Sequence, residues 1–190
     1  MGEPSKAHLA ALLADASQGD QGAWRRIVEE YLPRVLAVLR AQCHDHDLAE
    51  EIAQSAFCTI VKKLPEYQEA GRFESWLMRI AMNRLRDEMR RRKRHAIPAE
   101  ESTLIGLAGG SQPDDTGVED LQRQRLLEAM EELSMSDREI LVLRHVSGLS
   151  FKELSEALDS PVGTLLARHH RALKKLKGLL EAAEESGGAE

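Results

Sequence analysis

The chain has 190 residues, 42% of them hydrophobic and 4% aromatic, and carries a formal net charge of −6 at pH 7. That length suits one medium domain or two small ones, with enough apolar content to form a core without disulfides or metals. The two cysteines, Cys43 and Cys58, lie far apart and signal neither a disulfide framework nor a CxxC zinc site. No stretch approaches the roughly 18 apolar residues of a membrane span, and the N-terminus has no signal-peptide core.

Few aromatics beside abundant Leu, Ala, Glu and Arg favour helix over strand, so an all-α protein of two small helical domains is expected. Residues 1–18 are expected to form a first, helical segment. Asp20 predicts the cap of a helix running to about Cys43, with Pro33 inside it as a kink. Asp47, with Glu50 three residues on, reads as a capping box. It opens a helix carrying Leu48, Ile52, Ala56, Ile60 and Leu64 at i, i+4 spacing and stopping at Pro65. PEYQEAGR then reads as a loop, and a third helix starts near Phe73 or Ser75 and closes the first domain, 19–95.

Residues 96–117, AIPAEESTLIGLAGGSQPDDTG, lack periodicity and hold Pro98, Pro113, Gly109 and Gly110; they read as an acidic linker. Its apolar knot of Leu104, Ile105 and Leu107 suits docking on a partner. The second domain, 118–183, opens with VEDLQRQRLLEAMEEL, whose apolar positions are Val118, Leu121, Leu126, Leu127, Met130 and Leu133. Capping boxes are expected at Ser136 with Glu139 and at Ser150 with Glu153, separated by Gly148. A two-turn helix, FKELSEALD, is followed by Ser160-Pro161, with proline expected at the first helical position, and a long helix to about Ala183. Residues 184–190 read as a disordered tail.

Overall acidity conceals two basic blocks. Between Arg72 and His95 eight Arg and one Lys face Glu74, Asp87 and Glu88, and the decapeptide RDEMRRRKRH holds most of that charge. At 100° per residue Arg79, Asn83, Arg86, Arg90 and Lys93 fall in one arc of roughly 80°, opposite Phe73, Leu77, Ile80, Ala81 and Leu85. Such a stripe tracks phosphates without reading sequence. Asn83 in its centre can exchange hydrogen bonds with a base edge, and Trp76, one turn earlier, is either a stacking surface for an unpaired base or a core anchor.

The second block, Arg168, Arg171, Lys174, Lys175 and Lys177, faces no acid between Thr164 and Gly178. A short helix, a tight turn and this longer helix make a helix-turn-helix plan. Val162, Leu165, His169, Leu173 and Leu176 are expected to pack on Leu154 and Leu158, leaving Gly163, Thr164, Ala167, Arg168, His170, Arg171 and Lys174 outward. His170 and Arg171 are the candidates for base edges, while Arg168, Lys174 and Lys175 neutralise backbone. Catalysis finds little support. Cys43, His44 and His46 lack a matched second half of a metal site, and the adjacent carboxylates Glu50-Glu51 and Asp114-Asp115 point about 100° apart if helical.

Both blocks together resemble the sigma-70 family of bacterial RNA polymerase sigma factors, in its small extracytoplasmic-function type. DLAEEIAQSAFCTIVKKL and RFESWLMRIAMNRLRDEMRRRKR resemble its region 2, and LSMSDREILVLRHVSGLSFKELSEALDSPVGTLLARHHRALKKL its region 4. The resemblance implies a cytoplasmic, non-enzymatic protein whose partners are core RNA polymerase, promoter DNA and an anti-sigma factor, with no cofactor, small-molecule substrate or membrane insertion. It implies that Asp47, Glu50, Glu51 and Gln54 dock on polymerase. It likewise places Tyr67 through Arg72 at a pocket for an extruded base, Asn83 at the minus-10 element, and Leu166, Ala167, His170 and Arg171 at the minus-35 element.

Four positions depart from the family pattern. Ser55 replaces a frequent acid, Leu166 and Ala167 replace frequent polar residues, and His169, where an apolar residue is usual, reads as a core histidine rather than a pH sensor. The competing readings are a sigma mimic that traps an anti-sigma factor and a helix-turn-helix regulator that works without polymerase.

Overall fold

The structure, a computed structural model, describes residues 6–95 and 117–187, with side chains for 7–94 and 121–183. The expected linker, with Leu104, Ile105 and Leu107, thus lies almost wholly outside the described residues. Eight α-helices and one 3-10 turn, Leu64–Glu66, are formed, with no strand among the described residues. They divide into two compact units.

The first unit is built from α1 (Lys6–Ser17), α2 (Gln21–Cys43), α3 (His46–Lys63) and α4 (Phe73–His95). Asp20 caps α2 as expected, its Oδ1 accepting from the Ala23 amide at 2.6 Å. From there Ile27, Tyr31, Val35, Val38 and Leu39 are buried at the three- and four-residue intervals that place side chains on one helical face. Pro33 sits inside α2 on its exposed side. The α2 helix ends where His44 takes a left-handed conformation at φ 53° and donates to the Arg40 carbonyl at 2.9 Å.

That sharp stop decides where α3 begins. The cap is Asp45 rather than Asp47: its Oδ1 accepts from Leu48 N–H at 2.9 Å, and Asp47 lies in the first turn. The row Leu48, Ile52, Ala56, Ile60 and Leu64 is buried throughout and packs α3 between α2 and α4. The α4 helix contributes Phe73, Leu77, Met78, Ala81, Met82 and Leu85, each at most 1% exposed.

The second unit holds α5 (Gly117–Glu131), α6 (Met135–His145), most of α7 (Phe151–Leu158) and α8 (Val162–Gly187). Among the described side chains of α5 the buried residue is Ala129, with Leu133 just beyond, whereas Leu121, Leu126 and Leu127 are exposed; the expected Val118 lies outside the described side chains. The cap of α6 is Ser134, accepting from the Asp137 amide, not Ser136; the expected partner Glu139 is buried instead. Ser150 and Glu153 do form the reciprocal capping box of α7, at 3.3 and 2.7 Å. Gly148, at φ +79°, supplies the left-handed residue in the turn between α6 and α7.

The α7–α8 turn uses Asp159 in the left-handed region at φ 51°. Pro161 precedes α8 by one residue: its carbonyl accepts from Leu165 N–H, so the proline stands at the cap and not at the first helical position. The last helix runs on to Gly187, beyond the expected end near Ala183. No helix of the described residues is long and apolar enough to cross a membrane.

Candidate nucleic-acid interface

On α4, Arg79, Asn83, Arg90 and Lys93 are exposed and Arg86 is half-exposed, opposite the buried Phe73–Leu85 face. Ile80, expected on the apolar side, is half-buried. The amide of Asn83 is tied into the stripe, its Oδ1 accepting from Arg86 Nη1 at 2.5 Å. The decapeptide is less uniform than its charge suggests. Glu88 accepts from Arg91 at 2.7 and 2.8 Å and from Arg92 at 3.1 Å, and these two guanidiniums hold its carboxyl down at about 2. Arg92 also reaches Asp45 Oδ2 at 3.0 Å, fastening α4 to the cap of α3. Two of its arginines therefore serve the fold, while Arg90, 3.8 Å from Asp87 and three-quarters exposed, and Lys93 face outward.

The loop before α4 is organised around a residue that the sequence reading passed over. Glu69 Oε2 accepts from the Tyr67 hydroxyl at 3.0 Å, and Oε1 accepts from the amides of Gly71 and Arg72, the latter at 3.1 Å. Gly71 sits at φ +75°, which favours glycine. The signal was the carboxylate two residues before a glycine in QEAGR. Tyr67 stacks on Trp76 with centroids 4.3 Å apart and planes 17° apart, and Phe73 meets both rings from beneath. Trp76 is thus half-buried with one face already taken by a tyrosine, between the two roles expected for it. Arg72 is exposed beside it.

On α3, Asp47, Glu50, Glu51 and Gln54 are all exposed along one side, and Glu50 pairs with Arg40 at 3.1 Å. Cys43 donates to the Asp45 carbonyl at 3.3 Å. Among the described residues no group of three or more His, Cys, Asp or Glu side chains is arranged to hold a metal.

In the second unit, Leu165 and Ala172 are the fully buried residues among the described side chains of α8. Val162 and Leu173, expected in the packed face, are each 39% exposed: the neighbouring helices cover a narrower strip than the apolar pattern offers. Gly163, Thr164, Leu166, Ala167, His170, Arg171 and Lys174 are exposed and Arg168 half-exposed. A Cβ at Gly163 meets nothing within 4 Å, so the chain's own packing does not call for glycine there. Glycine costs a helix about 1 kcal/mol relative to alanine, and the bare backbone is open to close approach from outside. The motif is braced from behind: Arg144 donates to the Leu149 carbonyl at 2.9 Å and lies over the Phe151 ring, and Lys175 donates to the Glu132 carbonyl at 2.9 Å.

His169 contacts the edge of Phe151, and its Nε2 lies 3.0 Å from Nε2 of His145 on α6. With ring centroids 5.2 Å apart, the imidazoles meet tip to tip, close enough for an Nε2–H of one to donate to the Nε2 of the other. Burial first, then the charges of His145, Arg144 and His170, lower the His169 pKa from 6.5. An unfolded chain takes up that proton below about pH 6.5, the folded one only at lower pH. The contribution is therefore present above that range and lost as pH falls through it. The urea midpoint of the second unit, followed by NMR signals of α6 and α8, is expected to fall between pH 7.5 and 5.5, and His169→Leu to flatten that fall. A midpoint that rises on acidification contradicts the assignment.

Residues 27–95 match the family model for sigma-70 region 2, and residues 123–176 the one for sigma-70 region 4. The chain is 32% identical to the RNA polymerase sigma factor CarQ of Myxococcus xanthus, over 87% of this chain and 94% of the relative. It is 32% identical to the ECF RNA polymerase sigma factor SigD of Mycobacterium tuberculosis, over 92% of this chain and 85% of the relative. Among solved structures, CnrH bound to the cytosolic domain of CnrY matches with a TM-score of 0.70 at 23% identity, covering 91% of this chain and 97% of that one; it is a likeness of fold. The sigma factor RpoE bound to the anti-sigma factor NepR, from Bartonella quintana, matches with a TM-score of 0.67 at 25% identity, covering 83% and 96%.

Proposed function

The chain belongs to the sigma-70 family, in its extracytoplasmic-function branch, and we propose that its two outward basic helices divide promoter recognition between them. It is a sigma factor: it binds core RNA polymerase and directs initiation at particular promoters, a role in transcription rather than catalysis. In this reading the α4 stripe of Arg79, Asn83, Arg86, Arg90 and Lys93 meets the minus-10 element, with Tyr67, Arg72 and Trp76 beside it at the extruded base. The α8 face from Gly163 to Lys174 enters the major groove at the minus-35 element, with His170 and Arg171 at base edges. Asp47, Glu50, Glu51 and Gln54 dock on polymerase. Residues 19–95 and 118–183 are the two working domains, and an anti-sigma factor is the further partner, as in the RpoE–NepR complex. The setting is the cytoplasm.

The observation that supports this division best is the exposed stripe on each helix: Arg79, Asn83, Arg90 and Lys93 on α4, and His170, Arg171 and Lys174 on α8, are exposed on sides away from the buried residues. Two modest grips gain from effective concentration only when a larger body holds them at the right spacing. Selecting easily opened A·T-rich DNA lowers the few kcal/mol that unstacking a base costs. The test is run-off transcription with core polymerase over a library of promoter sequences. A defined subset is expected to be transcribed only when the chain is added; no transcript from any sequence, alongside tight anti-sigma binding, points to a mimic instead.

A further inference from the structure

The Glu69 carboxylate takes three donors from both ends of one short loop: the Tyr67 hydroxyl on one oxygen, the Gly71 and Arg72 amides on the other. Two consequences follow. The Tyr67 side chain is tethered at its hydroxyl end, and its ring lies flat against Trp76, which Phe73 supports in turn. The backbone at Arg72 is held where its carbonyl starts α4 by accepting from Trp76 N–H at 2.9 Å. A single side chain thus links an aromatic stack to the first turn of the helix that carries Asn83.

We propose that Glu69 is a positioning residue for capture of one unpaired nucleobase: it holds the Tyr67–Trp76 stack and the Arg72 backbone in the arrangement that receives the base. This rests on the sigma reading of the loop given above. Burial of Tyr67 and the negative charge beside it raise its phenol well above the ordinary range, so the hydroxyl stays a donor to Glu69 at every working pH. A loop held in one conformation before binding has less freedom to lose when the base arrives, and the gain appears as affinity. Glutamine at this position keeps one carbonyl acceptor for the amides but loses the second oxygen and the charge, so its effect should lie between those of glutamate and alanine.

The experiment uses the full chain assembled with core polymerase. The probes are single-stranded oligonucleotides carrying the minus-10 sequence of a transcribed promoter, together with a set bearing an abasic site at each position in turn. Glu69→Ala is expected to bind the intact strand about tenfold more weakly than wild type, with Glu69→Gln in between. At one abasic position that difference should vanish, because the group that the loop receives is gone. Tyr67→Phe should reproduce part of the loss and add nothing to Glu69→Ala. An equal penalty on every abasic strand, or none on the intact strand, overturns the proposal. A wild-type assembly that binds none of the strands overturns the sigma reading beneath it, a separate outcome.

Discussion

Phe73→Ala is expected to destabilise the first unit by about 3–5 kcal/mol, the range for emptying a large aromatic site in a packed core. Phe73 is 1% exposed and lies edge-on to Tyr31 at 5.1 Å and to Tyr67 at 6.0 Å, so α2, the loop and α4 all lose contacts when its ring is removed. Whole domains are stable by only about 5–15 kcal/mol, and this one change therefore removes a large share. Urea denaturation followed by tryptophan fluorescence measures it directly, since both tryptophans, Trp24 and Trp76, lie in the first unit. With a slope of roughly 1–3 kcal/mol per molar, the midpoint should fall by a molar or more. A loss below about 1 kcal/mol, the size expected at a surface position, contradicts the packing described.

The second large effect separates grip from reading on α4. Arg90→Ala with Lys93→Ala should weaken binding of the polymerase-bound chain on every promoter. The loss is on the order of tens of fold near 0.1 M salt, with the slope of log affinity against log salt lowered by up to about two units. Asn83→Ala should instead change which minus-10 sequences are preferred, with little change in salt slope. Equal loss on all promoters for Asn83→Ala contradicts its role. Arg92→Ala supplies the contrast: its guanidinium is engaged by Glu88 and Asp45, so its removal should lower stability more than it lowers the salt slope.

The helical architecture, the outward face of each basic helix and the α2 and α7 caps were all legible in the sequence. Local rules set these features: the spacing of apolar residues chooses the buried side, and a side-chain oxygen next to a helix start finds amides with no other partner. Where two such oxygens lay two residues apart, local rules were not enough. Asp45 prevailed over Asp47 because His44 ends α2 just before it and Arg92 comes from α4 to its free oxygen. Ser134 likewise prevailed over Ser136, and burial took Glu139 out of the expected box. On α8 the apolar pattern was wider than the strip that its neighbours cover, which left Val162 and Leu173 exposed.

The chain's one-dimensional order determined where positive charge accumulates and which helix presents it, because periodicity and composition act within a few turns. Only the folded arrangement decided which cations are tied down across helices and which remain outward, and it brought Phe73 and Trp76 against the Tyr67 ring that Glu69 tethers locally. Pairing depends on distance in space. Arg92 and Asp45 are 47 residues apart along the chain and 3.0 Å apart in the fold, and no helical period connects them.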